Sequence, residues 1–163
     1  MSKKICTIFA IFWMFSTIFA QDSAFPDLTV PDLKGNKINI KNLSTEGKPV
    51  VLAFWATWCG PCMHELNAIN DKISDWRDET EFNFYEVSID DSKSVGRVQP
   101  LVNGKGWDFD ILLDTNNDLK RQLNFSTPPF TVIIKDGMIV YKHLGYQPGA
   151  EDNLYEKIKE FSK

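Results

Sequence analysis

Two cysteines, Cys59 and Cys62, lie where an apolar run over residues 50–54 gives way to a helical pattern. The helix is expected to begin near Pro61, because a first helical turn does not need the N–H that proline lacks. A helix N-terminus leaves N–H groups unpaired and carries roughly half a positive charge, so it stabilises a thiolate and lowers its pKa. The sequence therefore predicts an exposed, low-pKa nucleophile at Cys59.

Cys62 is predicted to be the resolving cysteine, because its i, i+3 spacing puts it close enough to close a disulfide with Cys59. The Cys59 thiolate would attack a partner disulfide, and Cys62 would then attack Cys59 to release the product. A passive disulfide is the alternative, but a loop this short adds little stability. No metal site or cofactor is predicted: zinc needs four ligands, and haem attachment needs His where the chain has Met63.

The string Trp-Cys-Gly-Pro-Cys, residues 58–62, resembles the active site of the thioredoxin superfamily. With an export-type N-terminus and Glu65 after the cysteines, the chain is most similar to the TlpA/ResA-like group of extracytoplasmic thiol-disulfide oxidoreductases. The resemblance covers residues 25–160. It implies an α/β thioredoxin fold, with a central mixed β-sheet flanked by helices and an N-terminal β-hairpin extension.

Hydrophobic periodicity predicts the order of these elements. Strands are expected at 49–55, 82–89, 111–113, 130–135 and 138–143, after a hairpin over 25–40 that turns at Gly35-Asn36. Helices are expected from Pro61 to Trp76 as one piece, from Asp90 to about Leu101, at 114–123 and at 150–161. This order predicts a mixed sheet with helices on both faces.

The resemblance also implies a cis-proline loop that faces the dithiol and pairs with an extended substrate. Counting back from the turn at 135–137 places that proline at Pro129, although Pro128 fits nearly as well. Pro128 then stands where the family's preceding residue offers its carbonyl and side chain to the substrate. Trp58 resembles the aromatic that shields the dithiol and contacts the incoming peptide, whereas Trp55 is expected in the core.

Glu65 matches the acid that the TlpA/ResA-like group carries after its second cysteine, where it tunes cysteine acidity and helps proton transfer. Thioredoxin itself keeps a buried Asp on the strand below the dithiol, where this chain has Ala53. Glu65 is therefore the one local candidate for a base that serves Cys62. The alternative is a solvated glutamate on the helix surface. The group's frequent proline two residues later is Asn67 here.

Residues 1–20 are typical of a signal peptide, with Lys3 and Lys4 followed by an apolar segment at 5–19. That segment is shorter than the roughly 20 residues of a membrane span, so cleavage between Ala20 and Gln21 is expected. One thioredoxin-like domain, 21–163, would then be periplasmic or secreted. The alternative is an uncleaved anchor that holds the domain at the membrane, facing the periplasm.

Removing residues 1–20 takes away Lys3 and Lys4, so the net charge falls from −4 to −6. A nucleic-acid partner is unlikely for so acidic a chain. Gly-Pro between the cysteines is the dipeptide of reducing thioredoxins, which favours a protein-disulfide reductase over an oxidant. Clients would be proteins with disulfides, such as apocytochrome c, and the resemblance implies a membrane thiol-disulfide transporter as electron donor.

Two other classes of protein stay open at this point. One is a copper-handling protein of related fold that uses Cys59, Cys62 and His143 as soft ligands. The other is a non-catalytic domain that binds peptides along its cis-proline loop. The peroxidase branch of the superfamily is disfavoured, because its Pro-x-x-x-Thr-x-x-Cys pattern does not occur around Cys59.

Overall fold

The structure, a computed structural model, describes residues 24–44 and 47–163. The predicted signal peptide and its cleavage point lie outside the described residues, so that prediction and the boundary at residue 21 stay predictions. The strands are β1 Thr29–Pro31, β2 Lys37–Asn39, β3 Val50–Trp55, β4 Asn83–Ser88, β5 Asp110–Leu113, β6 Phe130–Lys135 and β7 Met138–Leu144. The α-helices are α1 Gly60–Asn70, α2 Ile73–Glu79, α3 Val98–Lys105, α4 Asp118–Gln122 and α5 Ala150–Phe161, with short 3-10 helices at Ile40–Ser44 and Val95–Arg97.

Five strands form the central sheet in the order β5-β4-β3-β6-β7. Strands β3, β4 and β5 run parallel, whereas β6 and β7 run antiparallel to their neighbours. All six residues of β3 are buried, as expected for a central strand covered on both faces. The predicted mixed sheet is confirmed.

Two apolar layers cover the sheet. Helices α1, α2 and α5 pack on one face in a cluster of Val51, Ala53, Ile69, Ile73, Trp76, Phe82, Phe84, Ile133, Leu154 and Ile158. The N-terminal extension and α3 contribute to the cluster that contains Val50, Leu52 and Phe54, whose side chains point to the opposite face. Among the described residues, no helix is long and apolar enough to cross a membrane.

The N-terminal hairpin is confirmed: β1 pairs antiparallel with β2. The segment ahead of it reaches one sheet edge, where Ala24 bridges Met138 on β7, and Asp32 bridges Leu112 on β5 at the other edge. The extension therefore meets both outer strands of the sheet.

The single helix expected from Pro61 to Trp76 is wrong. Helix α1 ends at Asn70, and α2 begins at Ile73. Ile69, Ile73 and Trp76 are nevertheless all buried. Their spacing fits two consecutive helices as well as one, so periodicity did not reveal the break. At the break, Lys72 forms ion pairs with Glu151 and Asp152 of α5.

The helix expected from Asp90 also begins later than predicted. The Asp90 side chain accepts hydrogen bonds from Thr57 and Ser88 instead of capping a helix. A 3-10 turn follows at Val95–Arg97, and α3 then runs on to Lys105, past the predicted end near Leu101. The helix expected from Asp114 begins at Asp118, and the Asp114 carboxylate accepts N–H bonds from Leu119 and Lys120 across that gap.

Candidate active site

Cys59 and Cys62 form a disulfide at the start of α1, with an S–S distance of 2.03 Å. The buried strand β3 ends at Trp55, and Cys59 is the residue that caps α1. Its sulfur accepts a hydrogen bond from the backbone N–H of Cys62 at 3.2 Å. Because free N–H groups and the helix dipole converge on this atom, a thiolate formed at Cys59 on reduction is stabilised.

The expected exposure of Cys59 needs correction. Cys59 keeps 5% of its surface accessible and Cys62 keeps none. Apolar neighbours in the core cluster enclose both residues, since the disulfide sits at the end of the sheet rather than on a protruding loop. The proposed nucleophile, Cys59, is the more exposed of the two cysteines, which agrees with the predicted roles. Only a small part of its surface is exposed, however.

Hydrogen bonds tie the loop before Cys59 to the end of β4. The Thr57 N–H donates to the Asp90 carboxylate at 2.8 Å, and the Thr57 hydroxyl donates to it at 2.6 Å. Ser88 donates a third bond to the same carboxylate at 2.9 Å. This buried network holds the loop against β4, and the sequence analysis did not identify it.

The proline loop lies at the same end of the strands as the dithiol. Strand β6 pairs antiparallel with β3, with Phe130 opposite Phe54, so residues 126–129 lie beside the loop that follows β3. The Pro128–Pro129 bond is cis, which fits Pro129 better than Pro128 as the loop's cis-proline. The carbonyl of Pro129 accepts an N–H bond from Gly145. Pro128 is half-buried and offers a carbonyl but no N–H.

Exposed apolar side chains flank this edge. Trp58 is 60% exposed, and Leu144, at the end of β7, is 59% exposed. The sequence analysis named Trp58 but missed Leu144, because alternation in β7 does not show which of its residues reaches the dithiol edge. Trp55 is buried, as expected, and packs edge-on against Trp107.

A cleft beside the start of α1 is lined by Pro61, His64, Tyr146 and Pro148. His64 is exposed. His143 does not join the cysteines in a copper site: among residues 24–44 and 47–163, no group of three or more His, Cys, Asp or Glu side chains could hold a metal ion.

Glu65 is buried rather than solvated, with 5% of its surface accessible. Burial, followed by the negative charge of Glu151, raises the pKa of Glu65 to about 7. Burial also acts to raise the pKa of Glu151, but hydrogen bonds from the backbone, Lys72 and Tyr146 outweigh it and hold that pKa below its usual range. Glu65 can therefore gain and lose a proton near neutral pH, as a general acid or base requires. Asn67, where the TlpA/ResA-like group often has proline, accepts a hydrogen bond from the Trp107 indole N–H.

Glu86 is a second buried carboxyl that the sequence analysis missed. It lies on β4 directly beside Ala53 of β3, with its side chain fully buried. Burial, with a contribution from Glu65, raises the pKa of Glu86 well above its usual range. Glu65 stays the predicted base for Cys62, and the structure adds a second buried carboxyl close enough to feel its charge. The sequence did contain an indication of this burial. Glu86 is two residues after Phe84 and four after Phe82, so alternation along the strand points all three side chains to the same face of the sheet.

Comparison with known proteins agrees with this geometry. Residues 22–143 match the model of the AhpC/TSA family. The thiol-disulfide oxidoreductase ResA of Bacillus thuringiensis (strain Al Hakam) is 30% identical over 133 residues, which are 81% of this chain and 74% of that protein. The thioredoxin-like protein YneN of Bacillus subtilis is 30% identical over 124 residues, which are 74% and 69% of the two chains.

Solved structures show the same fold. A thioredoxin-like protein of Porphyromonas gingivalis superposes with a TM-score of 0.73 at 39% identity, covering 85% of this chain and 91% of that one. A secreted disulfide oxidoreductase of Mycobacterium tuberculosis gives a TM-score of 0.66 at 22% identity over 82% and 96% of the two chains, which supports the fold alone. With its redox-active Cys59–Cys62 pair, the chain belongs to the AhpC/TSA family and is a thiol-disulfide oxidoreductase of the ResA type.

Proposed function

We propose that this protein is an extracytoplasmic protein-disulfide reductase. The observation that carries the proposal is the Cys59 sulfur, which accepts a helix N-terminal N–H and belongs to the more accessible cysteine of the pair. A reductase needs an accessible thiolate and a shielded resolving thiol one helical turn away. The apolar segment at residues 5–19, preceded by two lysines, supports export from the cytoplasm.

The reaction moves two electrons to the client. The Cys59 thiolate attacks one sulfur of the client disulfide, and the other client sulfur leaves as a thiolate. Cys62 loses its proton to the Glu65 carboxylate and attacks the Cys59 sulfur. The Cys59–Cys62 disulfide forms, and the second client sulfur departs with the electron pair of the mixed disulfide.

Clients would dock along the edge formed by Trp58, the Pro128–Pro129 loop and Leu144. The two exposed apolar side chains offer contact area, and the Pro128 carbonyl can accept an N–H from an extended client segment. Apocytochrome c and other envelope proteins with disulfides are the proposed clients. In an oxidising compartment the spent disulfide must be reduced again, which calls for a membrane thiol-disulfide transporter as donor.

A trapping experiment tests this function. Cys62→Ser, expressed with residues 1–20, should accumulate clients as mixed disulfides on Cys59 that a thiol reductant releases. Cys59→Ser is the matched control and should capture none. The proposal fails if Cys62→Ser captures nothing, or if the wild-type couple equilibrates near about −120 mV, as strong oxidants do, rather than near the roughly −270 mV of reducing thioredoxins.

A further inference from the structure

Glu86 is an unpaired acid in the interior of the sheet. Its side chain is fully buried, and neither carboxyl oxygen has a hydrogen-bond partner among the described residues. A carboxyl in that position destabilises a fold unless it is neutral, because an ion without partners loses its solvation. A Met or Leu would fill the same space without this penalty, so packing does not account for an acid here.

Glu86 and Glu65 face each other between the sheet and α1. Glu86 lies two residues after Phe84, so both point to the face on which Ile69 of α1 packs. Glu65 precedes Ile69 by four residues and therefore lies on the same side of the helix. Ala53, in register with Glu86, presents only a methyl group at this interface.

Thr131 adds a third polar side chain to the interface between the sheet and α1 that holds Glu86 and Glu65. It pairs with Ala53 from the other side, so Glu86, Ala53 and Thr131 form one row across three strands. The Thr131 hydroxyl is buried and, within the described part of the chain, has no hydrogen-bond partner. Two unpaired polar side chains from different strands thus flank the smallest residue of the row, beneath the helix that carries Cys62 and Glu65.

We propose that Glu86 is a positioning residue that acts through Glu65: the two form a buried carboxyl pair that stores the proton exchanged with Cys62. This inference rests on the proposed proton-transfer role of Glu65. When a thiolate reductant attacks Cys59, the Cys59–Cys62 bond breaks, Cys62 leaves with the electron pair, and a second thiolate of the reductant then releases Cys59 from the mixed disulfide. Glu65 gives Cys62 a proton, and Glu86 then passes its own proton to Glu65. Oxidation of the dithiol returns the proton to the pair.

The pair extends the pH range over which a buried proton is available. Glu65, with a pKa of about 7, is mostly ionised in mildly alkaline solution. Glu86 is buried more deeply and feels the charge of Glu65, and both effects raise the pKa of Glu86 well above its usual range. Other titratable groups on this side are Tyr141 and His143 of β7 and Tyr155 and Glu151 of α5. Lys72 and Tyr146 bind the Glu151 carboxylate.

Redox-difference infrared spectroscopy tests the pair directly. At pH 8 the wild type should show the carbonyl band of a protonated carboxyl, and the band should change between the disulfide and dithiol forms. Glu86→Gln should lose the band, whereas Glu65→Gln and Glu81→Gln, an exposed control, should keep a protonated carboxyl. The proposal is overturned if the wild-type band is absent at pH 8, survives Glu86→Gln, or is the same in both redox forms.

Reduction of the protein's own disulfide by dithiothreitol is the second test. The rate of Glu86→Gln divided by that of wild type should be near one at pH 6 and fall about tenfold by pH 9, since a proton donor is lost. Glu86→Asp should restore much of the rate. Glu86→Met introduces no amide and should show the same fall in rate with pH, which separates loss of the proton donor from any disturbance of folding by the amide of Glu86→Gln. A ratio that does not vary with pH contradicts the proposal. Neither test uses a client, so failure of the trapping experiment would be a separate result.

Discussion

At the scale of single residues, the chemistry depends on a few side chains whose surroundings differ from those that their type usually occupies. Cys59 caps a helix, and Glu65 and Glu86 are glutamates in an apolar layer. Burial of an acid is destabilising and is therefore uncommon without a functional reason. The consequences are measurable at each of these positions.

Glu65→Gln should remove a pH dependence of stability. The pKa of Glu65 rises from its ordinary value of 4.5 in the unfolded chain to about 7 in the folded one, so the folded state binds the proton more tightly. The stabilisation is complete below pH 4.5 and is lost as the pH rises through 7. Urea unfolding at pH 5 and pH 8 should show the variant gaining up to about 3 kcal/mol relative to wild type at the higher pH.

Glu81→Gln removes an exposed carboxylate and serves as the control, with no such change. A Glu65→Gln protein whose stability relative to wild type is the same at both pH values would show that the folded-state pKa of Glu65 is not raised.

Pro128→Ala should improve the use of peptide disulfides. The proline at 128 has no N–H, so a client segment that pairs there has one acceptor and no donor. Alanine restores the donor, and one hydrogen bond contributes about 0.5–1.5 kcal/mol, or roughly two- to tenfold in KM. Kinetics with a disulfide-bonded peptide measure the change, and Ser126→Ala in the same loop is the control. An unchanged or higher KM would show that clients do not pair with residue 128.

At the scale of elements, the site is formed by segments that follow or precede neighbouring strands, all at the same end of those strands. The dithiol follows β3, the Asp90 network follows β4, and the proline loop precedes β6, the antiparallel neighbour of β3. Strands β3 and β4 run parallel, so their C-terminal ends lie together, and the antiparallel β6 has its N-terminal end on that same side of the sheet. The loop before Cys59 is therefore fixed by hydrogen bonds from a neighbouring strand.

Asp90→Asn should loosen that loop. An amide at 90 presents an NH₂ group where the carboxylate accepts bonds from the Thr57 N–H, the Thr57 hydroxyl and Ser88. Hydrogen bonds to a charged group contribute about 1.5–3 kcal/mol, so unfolding in urea should show a loss of roughly 2 kcal/mol. Thr57→Val removes one of the three bonds and should cost less. Equal losses in both variants would contradict the view that the carboxylate organises the network.

At the scale of the whole molecule, the N-terminal extension belongs to the fold rather than to a linker. Phe25, Val30 and Ile40 are buried in the same cluster as the strands of the central sheet and both cysteines. These three side chains complete the apolar layer on the face of the sheet opposite α1 and α5.

Ile40→Ala should destabilise the protein by about 2–5 kcal/mol, because a fully buried isoleucine leaves a cavity when it is truncated. Lys41→Ala, at the exposed next position, should change stability by less than about 0.5 kcal/mol. Denaturant unfolding of the two variants measures the difference. Similar stabilities for both would mean that the extension is not packed as described.

Much of the fold and of the site could be predicted from local pattern. Three features depend only on neighbours in the sequence: the apolar run of β3, the apolar period of α1 and the i, i+3 spacing of the cysteines. The predicted bounds of helices and strands were less accurate where a side chain hydrogen-bonds to a residue far away in the sequence instead of capping the next helix. The Asp90 carboxylate binds Thr57, 33 residues away, and not the following turn. The break after Asn70 leaves the apolar period intact, so no local signal marked it.

The sequence by itself determined the dithiol and the helix that begins at it, because each depends on residue types a few positions apart. The cis-proline loop was expected from the resemblance, and the structure decided between Pro128 and Pro129. Only the tertiary structure decided how accessible Cys59 is, that Glu65 is buried, and that Glu86 lies beside Ala53 facing the same helix. Those properties depend on which strands become neighbours, and strand pairing brings together residues such as 53, 86 and 131 that share no local pattern.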